Sequence, residues 1–271
     1  MEKIPESVSN SKKRRRDEKI DADEDDNDTD QIPSLEESLT FSDTLVALRI
    51  MRAQFPHIEK VSVEPFILKS QLYSSVKDRT LVDRELESLR REKVLRIFKL
   101  NTGQDDHAIM FLDDYQNQID RVVKRMGEKK QGQLEVFKWF KTHVLDSKLE
   151  PSIAHQELCS LLSFGGKVKD GDISLLMNAG ILTRQLIDPT TYWFAIPNIG
   201  SLLKGLTQGR KEIRSLLNRR HYKEMMLAPM EKKRLRLSPF DMRFHLRDLI
   251  GSGHLRTVQT PTGLVVRVSK D

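Results

Sequence analysis

Apolar positions along this chain recur three times in one order: a helical stripe, a short polar or glycine stop, a β-branched strand, a turn and a second strand. The copies are Leu89–Leu100 with Ala108–Leu112, Leu175–Leu186 with Tyr192–Pro197, and Leu249–Gln259 with Gly263–Val268. Their first strands begin near Val94, Ile181 and Leu255, 87 and 74 residues apart. A helix-then-hairpin unit of this size is the outline of a winged helix. It makes nucleic acid the first partner to consider.

The stripes between these hairpins predict the remaining elements. In the first unit, Leu39, Phe41, Leu45, Val46, Leu48 and Ile50 predict a helix over Ser38–Met51, ended by Pro56. Pro65 starts a short helix over Phe66–Tyr73, and Asp78 caps a longer one running to about Glu92. That helix mixes Arg79, Arg84, Arg90 and Arg91 with Asp83 and Glu87, so its outer face suits solvent or protein as well as DNA. The second unit predicts helices over Tyr115–Arg125, Leu134–Leu145, Ile153–Leu162 and Asp172–Asn178. Its strands, Ile181–Leu186 and Tyr192–Ile196, pair across Asp188-Pro189, with Trp193 and Phe194 as core and hairpin residues. The third predicts a long amphipathic helix over Ile199–Arg220, a continuation over His221–Leu227 stopped by Pro229, and a basic connector over Glu231–Arg236. A last helix from Pro239 to Ile250 leads to the hairpin His254–Gln259 and Leu264–Val268. The expected fold is mostly α with small β-hairpins, an α+β chain of three tandem winged-helix domains. They span 35–114, 115–198 and 199–271 and follow a disordered tail over 1–34.

Charge separates these units. Residues 1–34 carry 7 Lys and Arg against 11 Asp and Glu, residues 35–198 carry 23 of each, and residues 199–271 carry 16 against 6. The net charge of +6 therefore conceals a surplus of ten in the last quarter of the chain. A basic domain beside a neutral body points to a polyanionic partner, double-stranded DNA. The candidate contacts are Arg210, Lys211, Arg214, Arg219, Arg220, Lys223, Lys232, Lys233, Arg234 and Arg236, with Arg256 and Arg267 on the hairpin. Such cations neutralise phosphates without reading bases, and no Asn, Arg and Gln cluster on one helix face offers a base code. Binding with little sequence preference is expected, with the first two units serving protein contacts. In the tail, Lys12, Lys13, Arg14, Arg15 and Arg16 form a compact basic cluster that reads as a nuclear localisation signal. The acids of Asp21–Asp30 offset its field, which disfavours a direct DNA role.

Few other chemistries fit. One cysteine, Cys159, forms no internal disulfide and is too few for a cysteine-based zinc site, which matches a reducing compartment. No apolar run of about 18 residues predicts a membrane span, and the first residues lack the apolar core of a secretory signal. No metal or cofactor motif is present. A kinase needs a glycine-rich loop, a strand lysine, a catalytic His-Arg-Asp loop and an Asp-Phe-Gly. His245-Leu-Arg-Asp248 is a loose echo inside a predicted amphipathic helix, and no Asp-Phe-Gly follows it. No catalytic residue is assigned. A kinase and a pure protein-interaction module remain the competing function classes.

Four stretches carry a family resemblance: Ile67–Thr80 with Val82–Leu86, Leu176–Thr183, Trp193–Pro197 and His245–Gly251. Taken in order, they resemble the family named serine/threonine-protein kinase 19, over about residues 35 to 271. Despite that name, the resemblance implies three winged-helix domains in a nuclear DNA-binding factor of transcription-coupled nucleotide excision repair. It implies action beside stalled RNA polymerase II, the Cockayne-syndrome ubiquitin-ligase receptor and the repair-helicase complex. The family's basic segment covers Arg210 to Lys223 and, where the sequence departs more, Lys232 to Arg236. The oligomeric state stays open, a homodimer on DNA included.

Overall fold

In the computed structural model, which describes residues 42–58, 61–103, 106–127 and 134–269, one element order repeats three times: helix, short strand, two helices, hairpin. The first round is α1 (Asp43–Ala53), β1 (Ile67–Leu68), α2 (Lys69–Ser75), α3 (Arg79–Arg91), β2 (Leu95–Lys99) and β3 (His107–Phe111). After α4 (Leu112–Gly127), the second opens with α5 (Glu135–Trp139), which runs through a π-helical turn (Phe140–Val144) into α6 (Leu145–Ser147). It continues with β4 (Ser152–Ala154), α7 (His155–Ser163), α8 (Asp170–Asn178), β5 (Leu182–Arg184) and β6 (Thr191–Phe194). The third is α9 (Gly200–Asn218), β7 (Glu224–Met226), α10 (Leu227–Glu231), α11 (Met242–Gly251), β8 (Leu255–Thr260) and β9 (Gly263–Val268). Each round closes a three-stranded antiparallel sheet with its last strand in the middle: β1-β3-β2, β4-β6-β5 and β7-β9-β8.

The repetition reaches single residues. The stop between the third helix and the hairpin holds a left-handed residue each time: Lys93 at φ 59°, Gly180 at φ 75° and Gly253 at φ 82°. In the first two, the next N–H reaches back to an unpaired carbonyl of the helix, Val94 to Leu89 at 2.9 Å and Ile181 to Leu176 at 3.1 Å. This is the six-to-one bond of a Schellman stop. Side-chain caps start two helices of the first round, α1 and α3. Ser42 accepts the N–H of Leu45 at 3.1 Å, and Asp78 accepts those of Thr80 and Leu81 at 2.9 and 3.1 Å.

Three expectations change. The helices predicted over Phe66–Tyr73, Ile153–Leu162 and His221–Leu227 each give way to a two- or three-residue strand, β1, β4 and β7, before the following helix. A strand that short shows no period of two, so only its partner, the last strand of the same sheet, defines it. Pro229 lies in the first turn of α10 rather than ending a helix, because an N–H there has no helical acceptor anyway. The tail over 1–34 and the start of the predicted Ser38–Met51 helix lie outside the described residues.

Residues 41–271 form one compact unit rather than separate bodies. One core runs from Phe98 and Tyr115 through Phe137, Phe140 and Phe194 to Leu202, Leu206, Phe240 and Phe244. The first and third rounds keep smaller cores of their own, around Leu72 and Leu86, and around Ile213 and Leu249. Polar groups pin the junctions. Buried Gln118 takes the N–H of Glu64 at 2.9 Å and donates to the carbonyls of Ser62 and Pro197 at 3.2 and 3.0 Å. Buried Arg96 donates to the Lys148 carbonyl at 2.8 Å, with its guanidinium 3.9 Å above the Phe194 ring.

The closest junction joins α2 to α11, elements about 170 residues apart in the chain. A Cβ built on Gly251 would lie 1.7 Å from the Ser70 carbonyl oxygen, so the two backbones touch there. Gln71 donates to the Phe244 carbonyl at 3.0 Å, and Phe240 and Phe244 stack at 4.2 Å beside Phe66. Gly251→Ala forces the helices apart and is expected to cost about 2 kcal/mol or more, read as a lowered chemical-denaturation midpoint. Gly171→Ala on α8, where a Cβ meets nothing within 4 Å, is the matched control and is expected to be neutral or slightly stabilising.

Candidate nucleic-acid interface

α9 is the element around which the basic residues gather. Its inner face buries Leu202, Leu206, Ile213 and Leu217. Gly209 on that face lets α11 approach: a Cβ there would fall 2.3 Å from Nε2 of His245. With that face fixed, Lys211, Arg214 and Arg219 lie exposed on the other side. The connector after α10 folds back along this outer face. Its anchor is Glu212, whose carboxylate accepts the N–H groups of Arg236 at 3.1 Å and Leu237 at 3.2 Å. The one acid of the groove is thus engaged by backbone donors. Between helix and connector lies a groove of about 780 Å³ lined by Lys211, Arg219, Lys233, Arg234 and Arg236.

Lys211 also borders a second depression, a cleft of about 760 Å³ between the first and third rounds. One wall presents Lys69 and Arg79, the other Lys211 and Arg214, with His107 and His254 also lining it. Lys69 is paired with Asp83 at 2.8 Å. Arg79 donates to the Gly251 carbonyl at 3.0 Å. The basic surface therefore continues across α9 from groove to cleft, and the first round adds Arg79 to it, whose partner is a neutral carbonyl, beside a Lys69 that Asp83 balances.

Two of the sequence-derived contacts are engaged elsewhere. Arg210 lies inside the cleft wall. It donates to Asp248 at 2.6 and 2.9 Å and to Asp106 at 2.5 and 3.2 Å. Burial disfavours its charge, but the bonds to Asp248 and Asp106 outweigh that and raise its pKa. Asp106 shifts the other way: burial opposes its ionisation, and Arg210 and Thr102 overcome this and lower its pKa. Arg210 is a structural cation with both sides of its guanidinium occupied. Arg267 on β9 donates to Glu224 of β7 at 2.6 Å, a cross-strand pair that neutralises it. Arg256 sits opposite Arg267 on β8 and is exposed. Arg220, Lys223 and Lys232 are exposed but line neither groove nor cleft. The cluster Lys12 to Arg16 lies outside the described residues.

Lys69 is not singled out by the sequence, and Arg79 only as one charge on a mixed helix face. Their surroundings average to zero net charge, and nothing along the chain says that α2 meets α11. The helices preceding the hairpins differ as well. α11 is buried against α2, α8 starts with Asp170 and Asp172, and α3 ties its Glu87 to Arg90 and Arg91.

Residues 26–268 match the family described as inactive serine-threonine protein kinase 19. The chain belongs to this family. It is 29% identical over 211 residues to the human protein named winged helix repair factor 1, covering 76% of this chain and 78% of that protein. The Xenopus laevis protein of that name is 30% identical over 229 residues, covering 83% of each. The Dictyostelium discoideum one is 26% identical over 269 residues, covering 88% of this chain and 68% of its own length.

The inactive description agrees with what the kinase-like tetrapeptide does here. His245 and Asp248 are wholly buried on α11, and Asp248 is held by Arg210 and by the Ser70 hydroxyl at 2.6 Å. His245 has Nε2 2.7 Å from the Ser238 hydroxyl. Among the described residues no helix is long and apolar enough to cross a membrane.

Burial pushes His245 down from 6.5 to about 4. Its folded pKa is below its unfolded one, so the unfolded chain takes up the proton first as pH falls. Stability is therefore expected to decline between pH 6.5 and about 4, by on the order of 3 kcal/mol over the whole window, with no contribution above it. Melting temperature against pH checks this, and His245→Gln should flatten that window.

Proposed function

We propose that this chain is a non-catalytic scaffold of DNA repair that grips double-stranded DNA with little sequence preference. In this reading, the three helix-to-hairpin rounds are winged-helix units in tandem. The observation that carries the proposal is the groove on α9, where five Lys and Arg side chains line one depression whose acid, Glu212, is taken up by backbone donors. Unneutralised cations in a concave surface focus a positive potential on phosphates. Relatives named winged helix repair factor 1 support repair as the setting for such binding. The serine/threonine-protein kinase 19 resemblance narrows it to transcription-coupled nucleotide excision repair beside stalled RNA polymerase II, in the nucleus, with Lys12 to Arg16 as the import signal.

The second round supports the scaffold part of this reading. Leu186 and Ile187 at its hairpin turn are fully exposed, and Phe164, just after α7, is exposed as well. The first and third rounds expose apolar side chains too, Ile50 and Leu237 among them, but none as fully as the adjacent pair Leu186 and Ile187, which fits a protein partner.

Duplex binding measured by fluorescence anisotropy across a salt series tests the proposal. Replacing Lys211, Arg219, Lys233, Arg234 and Arg236 with Gln should weaken binding and flatten the slope of log affinity against log salt by about 0.9 for each phosphate no longer neutralised. Lys167→Gln, in the second round, should leave the slope alone. An unchanged slope in the fivefold variant would falsify the groove as the DNA site.

A further inference from the structure

Arg210 ties together three parts of the molecule that meet nowhere in sequence. It leaves α9, grips Asp248 on α11 with two nitrogens, and grips Asp106, just before β3 of the first round, with two. Ser70 on α2 completes the knot by donating to the same Asp248 carboxylate at 2.6 Å. The knot is nearly closed to solvent: the side chains of Arg210 and Asp106 are 17% and 18% exposed and that of Asp248 is 0% exposed.

Three of the four members of this knot, Arg210, Ser70 and Asp248, adjoin a cation of the cleft. Lys211 follows Arg210 directly, and Arg214 lies one helical turn on. Lys69 precedes Ser70. Arg79 reaches over to the carbonyl of Gly251, three residues beyond Asp248. Movement at the knot therefore moves cations of both walls relative to each other.

We propose that Arg210 is a positioning residue. In this reading, which rests on the proposed duplex binding, it sets the spacing of Lys69 and Arg79 against Lys211 and Arg214, so that one phosphate backbone meets both walls. The DNA-binding unit is then the first and third rounds together, not the third alone. A planar guanidinium is required because two carboxylates are bridged at once, which a lysine ammonium does not do in this geometry.

The test uses the full chain, a fluorescent duplex and three variants, with melting curves to confirm that each is folded at the assay temperature. Arg210→Lys keeps the charge, and Asp106→Asn removes a negative charge beside the cleft. If Arg210 only supplied charge, the first would be neutral and the second would bind DNA more tightly. The positioning role predicts the reverse: both weaken binding, by about fivefold or more, and Asp106→Glu, which restores a carboxylate, recovers most of it. Tighter binding by folded Asp106→Asn, or unaltered binding by folded Arg210→Lys, overturns the inference. Should Arg210→Lys fail to fold, the Asp106 pair decides alone. A wild-type chain that does not bind duplex at all overturns the underlying DNA reading instead, and is told apart by that result.

Discussion

The contact of α2 with α11 governs the rest of the structure. Ionic groups leave water there: a guanidinium and two carboxylates, one of them fully buried. Desolvating such groups costs several kcal/mol each unless nearly every donor and acceptor finds a partner. Here four N–H···O contacts from Arg210, one hydroxyl from Ser70 and one from Thr102 supply those partners. The bonds are directional, so they fix how the helices cross as well as holding them together. The bare backbone contact at Gly251 and the stack of Phe240 on Phe244 then complete the junction. The first and third rounds are thereby set in one arrangement, and the second is carried along because its core is continuous with theirs.

That junction also shapes the electrostatics. The last 73 residues hold few acids, and structure engages most of them. Glu212 pins the connector, Asp241 caps α11 by accepting the Phe244 N–H at 2.8 Å, Asp248 neutralises Arg210, and Glu224 neutralises Arg267. Many of the cations left over are on the outer face of α9 and on the connector that Glu212 holds against it, with Lys223, Arg243 and Arg256 exposed elsewhere. The basic surface results from composition: residues 199–271 hold 16 Lys and Arg against 6 acids, and the pairs Asp248–Arg210 and Glu224–Arg267 cancel one cation each, so the surplus stays on the outside. Surface charge of this kind acts through potential rather than through fixed pairs, which is why its signature is salt dependence.

Much of this was legible in sequence, and the limits have physical reasons. The three hairpins, the cap at Asp78 and the amphipathic run of α9 all depend on neighbours within a few residues, and all appear near their expected places. β1, β4 and β7 do not, because strands of two or three residues are defined by a partner 37 to 43 positions away. Arg210 looked like its neighbours Lys211 and Arg214, since a charged residue on a helix carries no mark of which carboxylate it will meet. Its partners are 38 and 104 residues distant. Counting charge by segment found the basic third round. It missed Lys69 and Arg79, because the tertiary fold brings those two cations into line with the third round. How closely the rounds join was not legible either, since an apolar stripe does not say whether it faces its own hairpin or a neighbour's. Here apolar side chains of all three rounds merge in one core.

The same junction explains why little sequence preference is the consistent expectation for this fold. Direct readout needs an exposed helix that can enter the major groove with side chains aimed at base edges. Of the three helices that precede hairpins, α11 has its inner face against α2 and buries Phe244, His245, Leu246, Asp248 and Leu249, which leaves Arg243 as its exposed cation. α8 begins with Asp170 and Asp172, which oppose phosphate at the end where a helix dipole would otherwise attract it. α3 is exposed, but its Glu87 holds Arg90 and Arg91, and its Asp83 holds Lys69. What remains for DNA is the back of α9, the connector and the cleft, a surface of long flexible cations without the Asn, Gln and Arg pattern that distinguishes bases. Repetition of one unit thus did not produce three equivalent readers of sequence. It produced a body in which one unit's last helix, α11, packs against another unit's α2, while the basic side chains gather on the back of α9 and the connector.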